Sequence, residues 1–418
     1  MDYDKLINDS GMYLYRDDSF NTTSISMCFD GEIGNRESVI YDLICDYLFK
    51  ANKTYDRDTI NRKAKELYGL GFDATNSRIG SKRAFYLCID MVSPTVVEDD
   101  YSKEAFEFAK ELLLNPDFTK QDVLDTVKKE RISLIKAALS SPSKVARDLY
   151  NSTVLPDPTL EYEYSTDMKY VEDIINSVTL DEMKELFEKT VSDEHFFRGI
   201  MFGNTNIKEF KEFRKNFPFK SKIDDLDYSN KQEPKEGVDV IADDHINEST
   251  VYITYSIDKM DRGTRQLLRD ILNGSSDLCM DILRDKYGLV YGANVILYSY
   301  GDLFTVKASI DKDNIDKLVE ATDEMVSVIQ DPEQVRPLLE RAKEELKLAD
   351  YTMSEDKDEV LYNLNAHIRN MFPGFDYNEF MKNIDNVEPE DITKVTKTLK
   401  KRNVFMLRGD AKWETIKR

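Results

Sequence analysis

Two stretches of the chain alternate apolar with small polar residues at period two. "TTSISMCFDG" carries Ile25, Met27 and Phe29, and "STVYITYSID" carries Val251, Ile253, Tyr255 and Ile257. Successive side chains of a strand point to opposite faces, so each stretch reads as a half-buried strand. A helical pattern follows each one, over 38–50 and over 264–273. Further along, "LYGLGFDATNSRIGSKRAFYLCIDM" (67–91) lines up without gaps on "KYGLVYGANVILYSYGDLFTVKASI" (286–310). Tyr68, Gly69, Leu70, Phe72, Ala74 and Phe85 then fall on Tyr287, Gly288, Leu289, Tyr291, Ala293 and Phe304. Helical stretches rich in Leu, Phe and charge follow each copy, at 102–114 and 119–139, then at 313–329 and 334–350. Both series close with a polar cap-like segment, a helix and a strand, ending in Gly203-Asn204 and in Gly409-Asp410.

Four elements recurring in one order make the chain a tandem of two related halves. The segment 220–237, "KSKIDDLDYSNKQEPKEG", is polar, charged and broken by Pro234 and Gly237, which is linker composition. The boundaries are therefore 1–219 for the first half, 220–237 for the linker and 238–418 for the second half. Strands interleaved with helices predict an α+β fold, each half a mostly antiparallel sheet covered by helices.

Length fits this division, since 418 residues exceed one core and suit two domains of about 200 residues. Lys and Arg number 58 against 80 Asp and Glu, a net charge of −22. Such a surface repels phosphate backbones and anionic membrane surfaces, so no nucleic-acid or membrane partner is expected, whereas a basic peptide is acceptable. The start has no basic region followed by an apolar run, and no stretch nears the ~18 apolar residues of a membrane span. A cytoplasmic location is expected. Cys28, Cys45, Cys88 and Cys279 are scattered without a C-x-x-C pair, which predicts reduced thiols rather than a disulfide framework or a structural zinc site.

The stretch "VIYDLICDYLFKAN" (39–52) poses a chemical question. It reads as an amphipathic helix with Asp42, Cys45 and Asp46 at i, i+3 and i+4, on adjacent turns of one surface. This is where a metalloenzyme would hold ligands and base, but two short carboxylates and a thiol suit Zn²⁺ poorly. Cys45 as a nucleophile would need an imidazole or cation nearby, and His195, His245 and His367 are all remote in sequence. A polar helix face turned to solvent or to an interface is the plainer reading.

The order of strand, helix ending "LFKA", "LYGLGFDAT", "VKKERISLIKAAL" and, in the second half, "LCMDILRDKYGLVYGAN" resembles the pitrilysin/insulinase metallopeptidases, most closely the half-length bacterial members that work as pairs. The resemblance covers nearly the whole chain and implies a clam-like arrangement of the halves. In that family the first helix carries H-x-x-E-H, two histidines binding Zn²⁺ and the glutamate activating water. Laid on this motif, Asp42 and Asp46 stand at the histidines and Cys45 at the base. The third ligand, seven residues beyond a glutamate matched by Glu130, falls on Ala137. The resemblance thus implies a degenerate zinc site and no cofactor in this chain.

The same family carries in its second half an arginine and, seven residues on, a tyrosine that hold the substrate's scissile region. "RDKYGLVY" supplies Arg284 and Tyr291 at that spacing. A guanidinium fork and a phenol are suited to donate hydrogen bonds to a peptide carbonyl and to the oxyanion forming on it. Without the resemblance, Arg284 reads as a helix-end cation and Tyr291 as a core aromatic, as Phe72 at the equivalent place would suggest. The resemblance implies a non-zinc subunit of a heterodimeric peptidase, inactive alone, with zinc in a paralogous partner and an unfolded peptide as substrate. The alternative is a non-enzymatic peptide-binding scaffold or chaperone-like accessory protein, and an autonomous enzyme using Cys45 or another metal is a third reading.

Overall fold

A computed structural model describes residues 5–410 apart from 225, 227–232, 275, 299–301, 354–355 and 370–376. Its first sheet contains β1 (Ile7–Asp9), β2 (Met12–Arg16), β3 (Thr22–Gly31), β4 (Gly71–Ile79), β5 (Lys82–Val92) and β6 (Phe196–Gly203). Their spatial order is β1-β2-β6-β3-β5-β4. The second sheet contains β7 (Gly237–Asp243), β8 (Ser249–Ser256), β9 (Val290–Tyr298), β10 (Leu303–Ile310) and β11 (Lys400–Gly409), in the order β7-β11-β8-β10-β9. Removing β1 leaves the same topology twice. In each sheet one pair, β2 with β6 and β7 with β11, is parallel and the rest are antiparallel.

The helices that matter here are α1 (Asn35–Tyr47), α2 (Ser102–Leu114), α3 (Gln121–Ala138), α4 (Pro142–Val154) and α5 (Leu180–Thr190) in the first half. The second half has α6 (Arg262–Asn273), α7 (Ile315–Ile329), α8 (Pro332–Met353), α9 (Lys357–Ile368) and α10 (Pro389–Thr396). The polar segment before α5 is a capping box: the Thr179 hydroxyl accepts from the Glu182 backbone N–H, and the Glu182 carboxylate accepts from that of Thr179. The repeated Tyr-Gly-Leu has a backbone cause. Gly69 and Gly288 hold φ of +77° and +61°, the left-handed region that glycine enters without a Cβ penalty.

The central strands β3 and β8 are buried on both faces rather than one, which corrects the half-buried expectation. On the inner face, Ile25, Met27 and Phe29 pack against α1, α2 and α5, and Val251 and Ile253 pack against α6, α7 and α8. The outer faces are closed by helices from the opposite half. Ala146, Tyr150 and Val154 of α4 pack on Tyr252, Leu303 and Phe405 of the second sheet. Val360, Leu364 and Ile368 of α9 pack on Tyr15, Ile200 and Phe202 of the first. Within the first of these contacts the Tyr150 and Tyr252 rings stack with centroids 4.3 Å apart, and the Tyr150 hydroxyl lies 2.7 Å from Thr254 Oγ1. The halves are thereby locked by exchanged helices.

The described part of the 220–237 segment is held rather than free. The Ser221 N–H donates to the Ser10 carbonyl at 2.9 Å, Leu226 is buried against the first sheet, and the Lys235 N–H donates to Val154 O at 2.8 Å. Gly237 already opens β7.

Candidate functional site

Helix α1 buries Val39, Ile40, Leu43, Ile44 and Tyr47 against the core of the first half. That orientation leaves Asp42, Cys45 and Asp46 on a flank facing α3, β4 and the short helix Glu161–Tyr164. The three are brought together as their spacing requires, and a cation that the sequence reading passed over sits among them. Arg131 of α3 donates from Nε to Asp46 Oδ2 at 2.8 Å and from Nη2 to the Asp42 carbonyl at 3.1 Å, and its Nη1 lies 3.6 Å from Asp42 Oδ2. Arg131 is the residue after Glu130, so helix pitch alone turns it to a different side. Glu130 is exposed and pairs with Lys50.

Ala137, the position given to the third ligand, is exposed near the end of α3. Six residues beyond Arg131, it points about 120° away around a helix of 3.6 residues per turn. The α3 residue that confronts Asp42 and Asp46 is Arg131.

The face is tied to the neighbouring hairpin. Asn76 of β4 donates through Nδ2 to Asp42 Oδ1 at 3.0 Å and weakly to Cys45 Sγ at 3.7 Å, while its Oδ1 accepts from Arg83 of β5. Arg83 also pairs with Glu163 and donates to Ser38 Oγ at 2.6 Å. The Tyr162 hydroxyl faces Asp42 Oδ2 at 3.4 Å. Carboxylates and guanidinium groups thus alternate, Glu163, Arg83, then Asp42, Arg131 and Asp46.

The electrostatics of this network exclude the two chemistries first considered. Burial pushes the Cys45 thiol up to about 12, against the opposing hydrogen bond from Asn76, so no thiolate forms near neutrality. Burial also raises the Asp46 carboxyl, with Arg131 partly offsetting it. Burial works against the charge on Arg131, but Asp42 and Asp46 outweigh it and hold that guanidinium above the ordinary arginine range. The donor set does not fit zinc. No imidazole is present, the base position holds a protonated thiol, and both carboxylates already satisfy a fixed positive charge that would repel a divalent ion.

Arg284 and Tyr291 lie in the second half, each at a backbone irregularity. Residues Asp281–Lys286 form a π-helical turn, with the Tyr287 N–H reaching the Ile282 carbonyl at 3.3 Å. Such turns are rare and concentrate at functional sites. Arg284 is exposed on this turn, and its guanidinium makes no hydrogen bond or ion pair among the described residues. Tyr291 is the extra residue of a β-bulge, since Val290 pairs with Ile310 and Gly292 with Ser309. It is 62% exposed, and its hydroxyl donates to Asp311 Oδ1 at 2.9 Å, which raises its pKa.

The first half lacks both features. The β4–β5 ladder runs without a register shift, and Phe72 is partly buried against Phe49 and Phe108, with centroids 6.2 and 5.7 Å away. Packing therefore explains an aromatic at 72 but not one at 291. Asp311, Asn76 and Arg131 carry no sequence signal of their own, because each acts through a neighbour brought close only by the fold.

Residues 177–346 match the family described as peptidase M16 inactive domain. A comparison with curated proteins finds no match. Among solved structures, a conserved protein from Enterococcus faecalis V583 superposes with a TM-score of 0.79 at 16% identity, covering 96% of both chains. A peptidase M16 inactive domain from Pseudomonas fluorescens gives 0.74 at 14% identity, over 95% of each chain. A protease from Helicobacter pylori gives 0.72 at 15%, over 96% of this chain and 98% of that one. At these identities the likeness is one of fold. The match to the M16 inactive domain covers residues 177–346, and the twice-repeated topology together with the superpositions shows that the whole chain shares the fold of these M16 proteins.

Proposed function

We propose that the chain is the non-zinc subunit of a two-chain peptidase and supplies Arg284 and Tyr291 to an H-x-x-E-H site on a paralogous partner. The observation that carries this reading is the state of Arg284: an exposed guanidinium with no hydrogen bond or ion pair among the described residues, on a π-helical turn seven residues before a bulged, exposed tyrosine. A guanidinium that only stabilised a helix end would be expected to find a carboxylate in so acidic a chain. The partner's zinc would supply the activated water. Arg284 would donate to the carbonyl of the held peptide, and Tyr291 to the oxygen on which charge develops. The setting we carry forward is cytoplasmic, in keeping with four free cysteines. Among the described residues no helix is long and apolar enough to cross a membrane.

The test is to mix the chain with the similar-length H-x-x-E-H paralogue of its source organism. A 1:1 complex is expected to cleave unfolded peptides that neither chain cleaves alone. In it, Arg284→Ala or Tyr291→Phe should lower kcat by about 10²-fold or more, with assembly intact, because each removes a donor that acts in the transition state. Arg284→Lys should recover little, since an ammonium cannot reproduce the planar fork. Full activity of the paralogue alone, or unchanged turnover in both variants, sinks the reading. One feature favours a peptide-binding scaffold instead: among the described residues β4 and β9 each end a sheet, at an edge that an extended peptide could join without being cut. Complex formation without any cleavage would promote that alternative.

A further inference from the structure

Tyr291 has one hydroxyl proton, and that proton is directed at Asp311 Oδ1, 2.9 Å away. A phenol in this state offers lone pairs to anything else that approaches. It cannot serve as a donor to a carbonyl until the carboxylate releases it. Asp311 is exposed where β10 ends, and its side chain caps no helix, so nothing structural requires the contact. Its neighbour Lys312 does not neutralise it, because the Lys312 ammonium pairs with Asp410 at 3.3 Å. Glu248 adds further negative charge near Tyr291. The charged groups that bear on the bulged tyrosine are thus the carboxylates of Asp311 and Glu248, and a cation that takes the Asp311 carboxylate would free its proton.

We infer that Asp311 is a positioning and specificity-determining residue: it parks the Tyr291 hydroxyl, and a peptide carrying a lysine or arginine beside the held carbonyl releases it by pairing with the Asp311 carboxylate. This rests on the proposed role of Tyr291 and adds a substrate class to it, peptides with a basic residue next to the scissile region. The exchange is a hydrogen-bond and ion-pair swap at an exposed position, so the preference it creates is modest, about two- to fivefold, the range of surface ion pairs.

The test uses the full chain labelled with ¹³Cζ-tyrosine, the Tyr291 signal being identified by its loss in Tyr291→Phe. Two blocked pentapeptides serve as probes, alanine throughout except for a central lysine or a central glutamine. The lysine peptide is expected to move the Tyr291 signal at a two- to fivefold lower concentration than the glutamine peptide. Asp311→Asn is expected to erase that difference and to lower the Tyr291 titration midpoint. Asp311→Ala serves as a second variant should Asn keep a hydrogen bond to the phenol. Equal response to both peptides, no response to either, or an unchanged midpoint in both variants overturns the inference. None of these readouts needs turnover, so a failure of the peptidase reading, seen as unchanged kcat in the Tyr291 variant of the complex, is distinguishable from a failure here.

Discussion

Removing the Arg131 cation is the sharpest perturbation the first half offers. In Arg131→Met the aliphatic bulk is roughly kept, but Asp42 and Asp46, one helical turn apart, lose the charge between them. Side-chain exposures of 21% for Arg131, 27% for Asp42 and 26% for Asp46 make this a mostly buried cluster. Breaking a fully buried pair by removing one partner costs about 3–5 kcal/mol. Residual solvent around a quarter of each side chain reduces this to about 2–3 kcal/mol. If the first half melts as a unit, Tm falls by about 5–10 °C.

The pH dependence fixes the cause. Asp46 already has a carboxyl pKa raised by burial, and Arg131 is what opposes the rise. A carboxyl whose folded pKa exceeds its unfolded value binds more protons when folded, so its contribution to stability falls as pH rises from the ordinary carboxylate pKa through the folded one. In Arg131→Met that folded pKa moves higher still. The variant should therefore be most destabilised at pH 7–8 and should recover toward pH 5, where one carboxylate takes a proton. Urea unfolding followed by tyrosine fluorescence at both pH values measures this. Adding Asp42→Asn and Asp46→Asn should restore most of the loss at pH 8, since removing all the charges of a buried cluster is close to neutral. An equal loss at both pH values, or no recovery in the triple variant, would show that Arg131 contributes packing rather than charge.

Three further expectations concern other parts of the molecule. Asp42→His with Asp46→His should bind no stoichiometric zinc, because Arg131 stays in the site. Adding Cys45→Glu and Arg131→Glu, which supply the base and place a third ligand on the α3 face that confronts the motif, should allow it; elemental analysis after dialysis decides. Cys45 should react with iodoacetamide at pH 8 far more slowly than a free thiol, because burial holds its pKa near 12, and fast labelling at Cys45 in a peptide map would contradict this. Tyr150→Phe should cost about 1 kcal/mol for the hydroxyl contact with Thr254, and Tyr150→Ala about 3–5 kcal/mol with two resolved calorimetric transitions in place of one. A single unshifted transition in Tyr150→Ala would mean that α4 does not couple the halves.

What the sequence disclosed and what it hid divide by the range of the interaction. The repeated strands, the Tyr-Gly turns and the Thr179 cap are written in local spacing, so they were legible, and so was the gathering of Asp42, Cys45 and Asp46 on one flank of α1. Period two in "TTSISMCFDG" identified β3 and its inner face, but Ser24, Ser26 and Cys28 on the other face are buried as well. Small polar residues look like a solvated face when read alone, whereas here the buried Cys28 and partly buried Cys88 line an apolar cluster with Ala84 and Phe197 on the outer side of the sheet. Helix exchange cannot be read from periodicity, because α4 and α9 are amphipathic toward a sheet of the opposite half of the chain, and a helical stripe does not say which sheet it covers. Arg131 was hidden for a related reason. A motif comparison counts seven residues from Glu130 and arrives at Ala137, but the fold chooses by direction rather than by count, and the direction toward α1 belongs to the next residue along. The two α1 carboxylates, Asp42 and Asp46, thus face a cation that α3 itself supplies, and no count along the motif points to it.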